Sequence, residues 1–211
     1  MPDRLEITNR VLIKLGQRPL SALTDSRPEQ RAIDRVYDSS VQRLIEGAFW
    51  KFASKSQELQ QSDTAVTQFG YQFAYELPED YVRIIRICDN QRFRPTLIDF
   101  LIENGYIFCD CTPLYLQYVS NDETHGYDPG KWPASFADAV VDELAYRVAP
   151  ALAGSGIQKI EQLEKEAKRS FYIAKGRDAV NQPESFMPAG RLVRARSGWQ
   201  RINNMRRTPY Q

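Results

Sequence analysis

The stretch Ile33-Asp34-Arg35-Val36-Tyr37-Asp38-Ser39-Ser40-Val41-Gln42-Arg43-Leu44-Ile45-Glu46-Gly47-Ala48-Phe49-Trp50 decides how the chain is to be read. Its apolar residues Ile33, Val36, Tyr37, Val41, Leu44, Ile45, Ala48 and Phe49 recur three and four apart, which places them on one face of a helix. The polar residues from Asp34 to Glu46 fall on the other face. Pro28 suits the first turn, where its missing N–H has no helical partner to lose. Around Trp50 the period changes. From Gln57 to about Val119 the chain is rich in aromatic and β-branched residues, the composition of strands.

Working outward, Asp3 with Glu6 resembles a capping box, and Leu5, Val11, Leu12 and Leu15 share a face that Gly16 ends, with Pro19 beyond. Tyr71, Phe73 and Tyr75 alternate with Gln72, Ala74 and Glu76, predicting a half-buried strand before a turn at Pro78-Glu79-Asp80. Tyr81 to Ile87, Leu97 to Ile102, Tyr106 to Cys109 and Leu114 to Val119 are further strand candidates, and Asn104-Gly105 is a hairpin signal. Helix returns after Pro133, with Phe136, Val140, Leu144, Val148 and Leu152 spaced by four; Pro150 is expected to kink or end it. Gly154 and Gly156 punctuate. A last helix is expected from Ile157 to Lys175, with Ile157, Ile160, Leu163, Ala167, Phe171 and Ala174 on one face and Gly176 at its end. Glu161 with Lys165, and Glu164 with Lys168, are favourable pairs four apart. The expected fold is α+β. Residues 1–54 and 133–180 form a helical bundle, 55–132 an inserted antiparallel β-rich subdomain, and 181–211 an extended basic C-terminal arm.

Composition narrows the function classes. The chain has 211 residues, 42 % hydrophobic and 26 % charged, which is globular rather than disordered. No run approaches the ~20 apolar residues of a membrane span. The start, Met1-Pro2-Asp3-Arg4-Leu5-Glu6, has no apolar core and reads as no secretory signal. Three cysteines are too few for a disulfide framework and fit a reducing compartment. Of the 28 basic residues, six arginines follow Glu184, with no acid among them; 22 basic residues are left against 27 acidic. An acidic body thus carries a basic arm, a split that implies a partner.

Cys109-Asp110-Cys111 with Cys88 and His125 would supply four ligands, but the spacing matches no zinc knuckle, and cysteine is also a small buried hydrophobe. His125, the lone histidine, sits in a polar stretch, where solvation outweighs a role as base to a cysteine. The adjacent acids Glu79 and Asp80, Asp122 and Glu123, and Asp142 and Glu143 are expected to face solvent; a peptidoglycan or glycan hydrolase using a carboxylate pair is the enzymatic alternative. Phosphate-cradling glycine loops and a G-x-S-x-G elbow are absent, so the residues suggest no cofactor, no metal and no catalytic set. In the arm, Arg191, Leu192, Val193, Arg194, Arg196, Trp199, Arg201, Arg206 and Arg207 mix basic and apolar character. They read as a segment that orders on a partner, with a protein groove favoured over a bare phosphate backbone and nucleic acid as a further alternative.

Four stretches in order carry a resemblance: Leu15-Gly16-Gln17-Arg18-Pro19 with Ser21-Ala22-Leu23-Thr24-Asp25; Ala48-Phe49-Trp50-Lys51-Phe52-Ala53; Tyr75-Glu76-Leu77-Pro78-Glu79-Asp80-Tyr81-Val82-Arg83-Ile84; and Trp132-Pro133-Ala134-Ser135-Phe136, running on to Leu144-Ala145. Over about residues 3–180 the chain resembles the tail tubular protein A, or head-to-tail adaptor, family of short-tailed bacteriophages. The resemblance implies a structural protein of the virion and not an enzyme. It implies a homo-oligomer, a dodecameric ring beneath the portal protein, that continues the DNA channel to the tail nozzle protein and tail fibres. Genomic DNA would pass through its lumen, and no membrane is involved. It places the protein at the head–tail junction after assembly in the host cytoplasm, with the C-terminal extension reaching onto the portal, so the nine arm residues above are the candidate portal contacts. An acidic body suits such a conduit, since like charge keeps DNA from sticking. The two long apolar stripes are expected to be core, and polar faces such as Glu161 to Lys168 the contacts between neighbours.

Overall fold

The computed structural model describes residues 2–25, 27–62, 70–93, 96–97, 99–152 and 156–180. Among them the chain is α+β, with four helices and two three-stranded antiparallel sheets. The helices are α1 (Arg4–Lys14), α2 (Pro28–Glu46), α3 (Ala134–Leu152) and α4 (Ile157–Val180). The strands are β1 (Ser54–Leu59), β2 (Phe73–Glu76), β3 (Tyr81–Cys88), β4 (Leu101–Glu103), β5 (Tyr106–Cys109) and β6 (Leu114–Ser120). Sheet A has the order β1-β6-β3 and sheet B the order β2-β5-β4. Among the described residues no helix is long and apolar enough to cross a membrane. The region from residue 1 to Ala179 makes one compact unit.

Each helix starts and stops for a local reason. The Asp3 carboxylate accepts the Arg4 N–H at 2.6 Å ahead of α1. At its end Gly16 N–H donates to Ile13 O and Gln17 N–H to Leu12 O, the crossed pair that satisfies last-turn carbonyls. Pro28 opens α2. α3 is the central helix. Phe136, Val140, Leu144 and Val148 are buried, and Ala137, Ala139, Ala145 and Ala149 bury its flanks, small enough to let α1 and α2 pack closely.

The layers follow from which side each strand residue faces. Val119 and Ala53, with the half-buried Val82 and Ile85, join the helical core. Leu114, Leu116 and Tyr118 of β6, with Leu59 and Ile87, pack instead against Tyr75, Ile107 and Cys109 of sheet B. Sheet A is therefore the middle layer, with the helices on one face and sheet B on the other. The β4–β5 hairpin turns at Asn104 (φ 50°) and Gly105 (φ 81°), the left-handed pair that a two-residue turn requires.

One cluster of rings holds the helices to the sheets. Trp50 is buried between the end of α2 and the start of β1, and its Nε1 donates to Leu44 O at 2.7 Å. Its ring meets Phe136 edge-on at 4.8 Å between centroids, with Phe52 at 5.8 Å and Phe171 at 6.0 Å. Trp132 closes on the far side of Phe136 at 5.1 Å.

Several expectations need correction. Phe49, placed in the apolar stripe, is 49 % exposed and lies beneath the Arg83 guanidinium, 4.3 Å away; Trp50 takes the buried position because α2 has ended and the chain turns inward there. β1 carries no strand signal in its sequence, since Ser54-Lys55-Ser56-Gln57-Glu58 is polar; pairing along β6 makes it a strand. Pro150 does not stop α3, which continues to Leu152, so the missing bond is lost only in the last turn. α4 passes through Gly176 to Val180, held there by a clasp described below, and its first residue Ile157 is 77 % exposed rather than packed. Gly154 lies outside the described residues.

Replacing Trp50 with Ala is expected to cost about 3–5 kcal/mol, the range for emptying a large aromatic site. Chemical denaturation followed by circular dichroism measures it, and a loss below about 1 kcal/mol would show that the ring cluster does not hold the layers together.

Candidate functional site

Arg191, Leu192, Val193, Arg194, Arg196, Trp199, Arg201, Arg206 and Arg207 all lie outside the described residues. The structure does show how α4, the helix that leads toward them in sequence, is fastened. The buried Asp178 carboxylate accepts the Lys51 N–H, with Oδ2 at 3.2 Å. Lys51 Nζ donates to the carbonyls of Asp178 at 2.7 Å and Ala179 at 3.4 Å. An ammonium thus closes the negative end of the helix. Burial pushes the Asp178 carboxyl above its ordinary 3.8, outweighing the Lys51 N–H bond and charge.

The carboxylate pairs serve separate joints. Asp80 Oδ1 accepts the Tyr118 hydroxyl at 2.8 Å, and Oδ2 accepts Ser120 Oγ at 2.6 Å and Lys55 Nζ at 2.9 Å. One side chain so ties the turn before β3 to β1 and β6. Burial alone would raise this carboxyl, but the hydrogen bonds from Lys55, Ser120 and Tyr118 prevail and hold it below 3.8. Asp122 accepts the Thr124 N–H at 2.6 Å and Oγ1 at 2.5 Å. Asp142 pairs with Lys14 at 2.7 Å, and Lys14 reaches Glu166 of α4 at 2.8 Å.

Glu143 corrects the expectation of solvent-facing acids. It is buried and accepts Arg43 Nη1 and Arg147 Nε, each at 2.7 Å. Two guanidinium groups, from α2 and α3, thus converge on one carboxylate oxygen and join the two helices. Nothing in the local sequence distinguishes Glu143 from Asp142; only helix phase against Arg43 and Arg147 does.

Cys109 is buried and Cys111 half-buried, both against the core between the sheets, while Cys88 is buried elsewhere on sheet A. Burial pushes the Cys88 and Cys109 thiols up. His125 Nδ1 lies 2.9 Å from Thr124 Oγ1 in its loop. Among the described residues no group of three or more His, Cys, Asp or Glu is placed to hold a metal ion.

The surface offers a groove of about 490 Å³ between the end of α2 and α4, with Leu44, Phe171 and Tyr172 on its walls and Arg43 and Lys168 among its charges. Gly47 makes this approach possible, since a Cβ there would stand 2.7 Å from the Phe171 ring. Compared with models of known protein families and with curated proteins, the chain matches none.

Asp80 and Asp178 respond oppositely to pH. Asp80 contributes stability above about pH 4 that is lost as pH falls through its lowered value; the Asp178 charge costs stability that is relieved as pH falls through its raised one. Asp80→Asn is expected to lose about 1.5–3 kcal/mol near neutral pH and to flatten the acid limb of the stability profile. Asp178→Asn, which keeps an acceptor for Lys51, is expected to hold or gain stability near neutral pH. Urea unfolding across the acid range measures both, and equal losses in the two variants would contradict the opposite shifts.

Proposed function

We propose that this chain is a virion structural protein, a head-to-tail adaptor whose copies form a ring under the portal protein of a short-tailed bacteriophage and continue the DNA channel to the tail nozzle and fibres. The observation that carries the reading is the ordered set of four motifs between Leu15 and Ala145. Their placement supports it. Ala48–Ala53 and Trp132–Phe136, far apart in sequence, contribute Trp50, Phe52, Trp132 and Phe136 to one ring cluster. Tyr75 to Ile84 supplies the buried Tyr75 and the Asp80 clamp, and the first motif supplies the buried Leu15 and Leu20. The resemblance therefore falls on the positions that hold this framework together.

In this reading the segment from 185 to 211 is the portal-binding arm. Ordering it costs roughly 1–2 kcal/mol of backbone entropy per residue, which contacts on the portal offset. Ring formation then follows docking, and repetition around the ring multiplies weak contacts by effective concentration.

The test is the mass in solution of the full chain and of a chain lacking residues 185–211, each with and without the cognate portal protein. The full chain is expected to join the portal as a large ring while the shortened one stays behind. If the full chain remains monomeric beside the portal, the adaptor reading falls.

A further inference from the structure

We propose that Asn104 is a site of spontaneous deamidation, and that its conversion to isoaspartate detaches β4 from sheet B. The inference is independent of the adaptor reading, since it rests on the β4–β5 turn alone.

Sequence and exposure single out this asparagine. Of all the asparagines in the chain, only Asn104 is followed by glycine. The following residue matters because its backbone nitrogen is the nucleophile, and a side chain there would shield it. Gly105 has none, and a Cβ built on it would meet no atom within 4 Å. Asn104 and Gly105 are both exposed, so water and base reach them. Other asparagine side chains are held in place. Asn9 exchanges two hydrogen bonds with the backbone of Leu20, at 3.1 and 2.7 Å. Asn90 Nδ2 donates to Asp89 Oδ1 at 2.8 Å, and its Oδ1 accepts the Arg92 N–H at 3.1 Å.

The chemistry needs only water. Solvent base takes the Gly105 N–H proton, and the nitrogen attacks Asn104 Cγ. The new N–Cγ bond closes a five-membered imide, and the Cγ–Nδ2 bond breaks, with Nδ2 taking a proton and leaving as ammonia. Water then opens the imide on one of two sides. Cleavage of the new bond gives aspartate. Cleavage of the original peptide bond gives isoaspartate, in which the main chain runs through Cβ and Cγ.

Ring closure requires the peptide unit between Asn104 and Gly105 to rotate, and the folded turn resists that. The two residues are held as a left-handed pair, with φ of 50° and 81°, and Gly105 O accepts the Leu77 N–H at 2.8 Å. The hairpin must therefore open first, and it is built to open cheaply. β4 is an edge strand of sheet B and has only three residue pairs with β5. Ile102 and Glu103, two of its three residues, are exposed. A short edge pairing that buries little apolar surface belongs to the low-stability end of a fold. β5 keeps its four pairs with β2 when β4 leaves, so the opening stays local.

Isoaspartate makes that opening permanent. It adds one atom to the main chain of a two-residue turn, which closes with a narrow set of backbone conformations. It also places a new carboxylate next to Glu103. Register already sets Glu103 and Glu76 on either side of Tyr106, and like charges across neighbouring strands repel. Both effects act against the pairs Leu101↔Phe108, Ile102↔Ile107 and Glu103↔Tyr106.

The experiment incubates the full-length parent and Asn104→Gly in mildly alkaline buffer, with and without urea. Asn104→Gly has no side-chain amide to lose and still adopts a left-handed turn. Peptide mapping by mass spectrometry follows each asparagine, and hydrogen exchange follows the amides of β4 and β5. In the folded parent Asn104 is expected to convert about tenfold or more faster than any other asparagine. The rate is expected to rise with pH, because the attacking nitrogen must lose its proton. Exchange in β4 is expected to accelerate in step with conversion, while Asn104→Gly stays protected over the same time. The proposal is overturned if Asn104 converts no faster than the other asparagines, or if it converts only in urea, since the hairpin would then stay closed in the folded chain. It is also overturned if β4 keeps its protection in the isoaspartate form, or if Asn104→Gly loses protection at the same pace as the parent.

Discussion

The fold depends on the burial of one indole at the point where helical and β structure meet. Trp50 follows α2 directly and precedes β1, so its position fixes where the chain leaves the bundle and enters sheet A. Its Nε1 donates to the Leu44 carbonyl, in the last turn of α2, where a helix leaves acceptors without intrahelical partners. The same ring meets Phe136 of α3 and Phe171 of α4. Three helices and the first strand are thereby referred to a single side chain, and Gly47 leaves room for the last of them.

Beyond that junction, much of the ionic chemistry of the body serves as internal joinery. Asp80 ties β1 and β6 to the turn before β3, Glu143 joins α2 to α3, and Lys14 joins α1 to α3 and α4. Such groups are costly to bury unless fully paired, and they tolerate few alternative arrangements. The charges left over stay on the surface, with Glu161, Lys165, Arg169 and Lys175 all exposed on α4.

Features written in local chemistry were legible in the sequence. The Asn104-Gly105 turn, the start of α2 at Pro28 and the end of α1 at Gly16 each follow from backbone preference alone. The buried stripes of α2 and α3 followed from period. What was not legible depends on partners distant in sequence. β1 is polar and becomes a strand only through β6. Phe49 and Trp50 are adjacent aromatics, and only the turn after α2 decides which one is buried. Gly176 would end an isolated helix, but Lys51 supplies the cap two residues further on. At the candidate site, the adjacent acids could be listed in advance, but the pairing of Glu143 with Arg43 and Arg147 could not, because it depends on how α2 and α3 pack.

The Lys51–Asp178 clasp has a mechanical consequence. Tension applied to the chain beyond Val180 would first load the last turn of α4, the part of a helix that frays most easily. Here that turn is bonded to the linker between α2 and β1, beside Trp50, through the backbone N–H and the ammonium of one lysine. Force would therefore pass sideways into the ring cluster instead of peeling the helix residue by residue. The body would yield as a unit or hold.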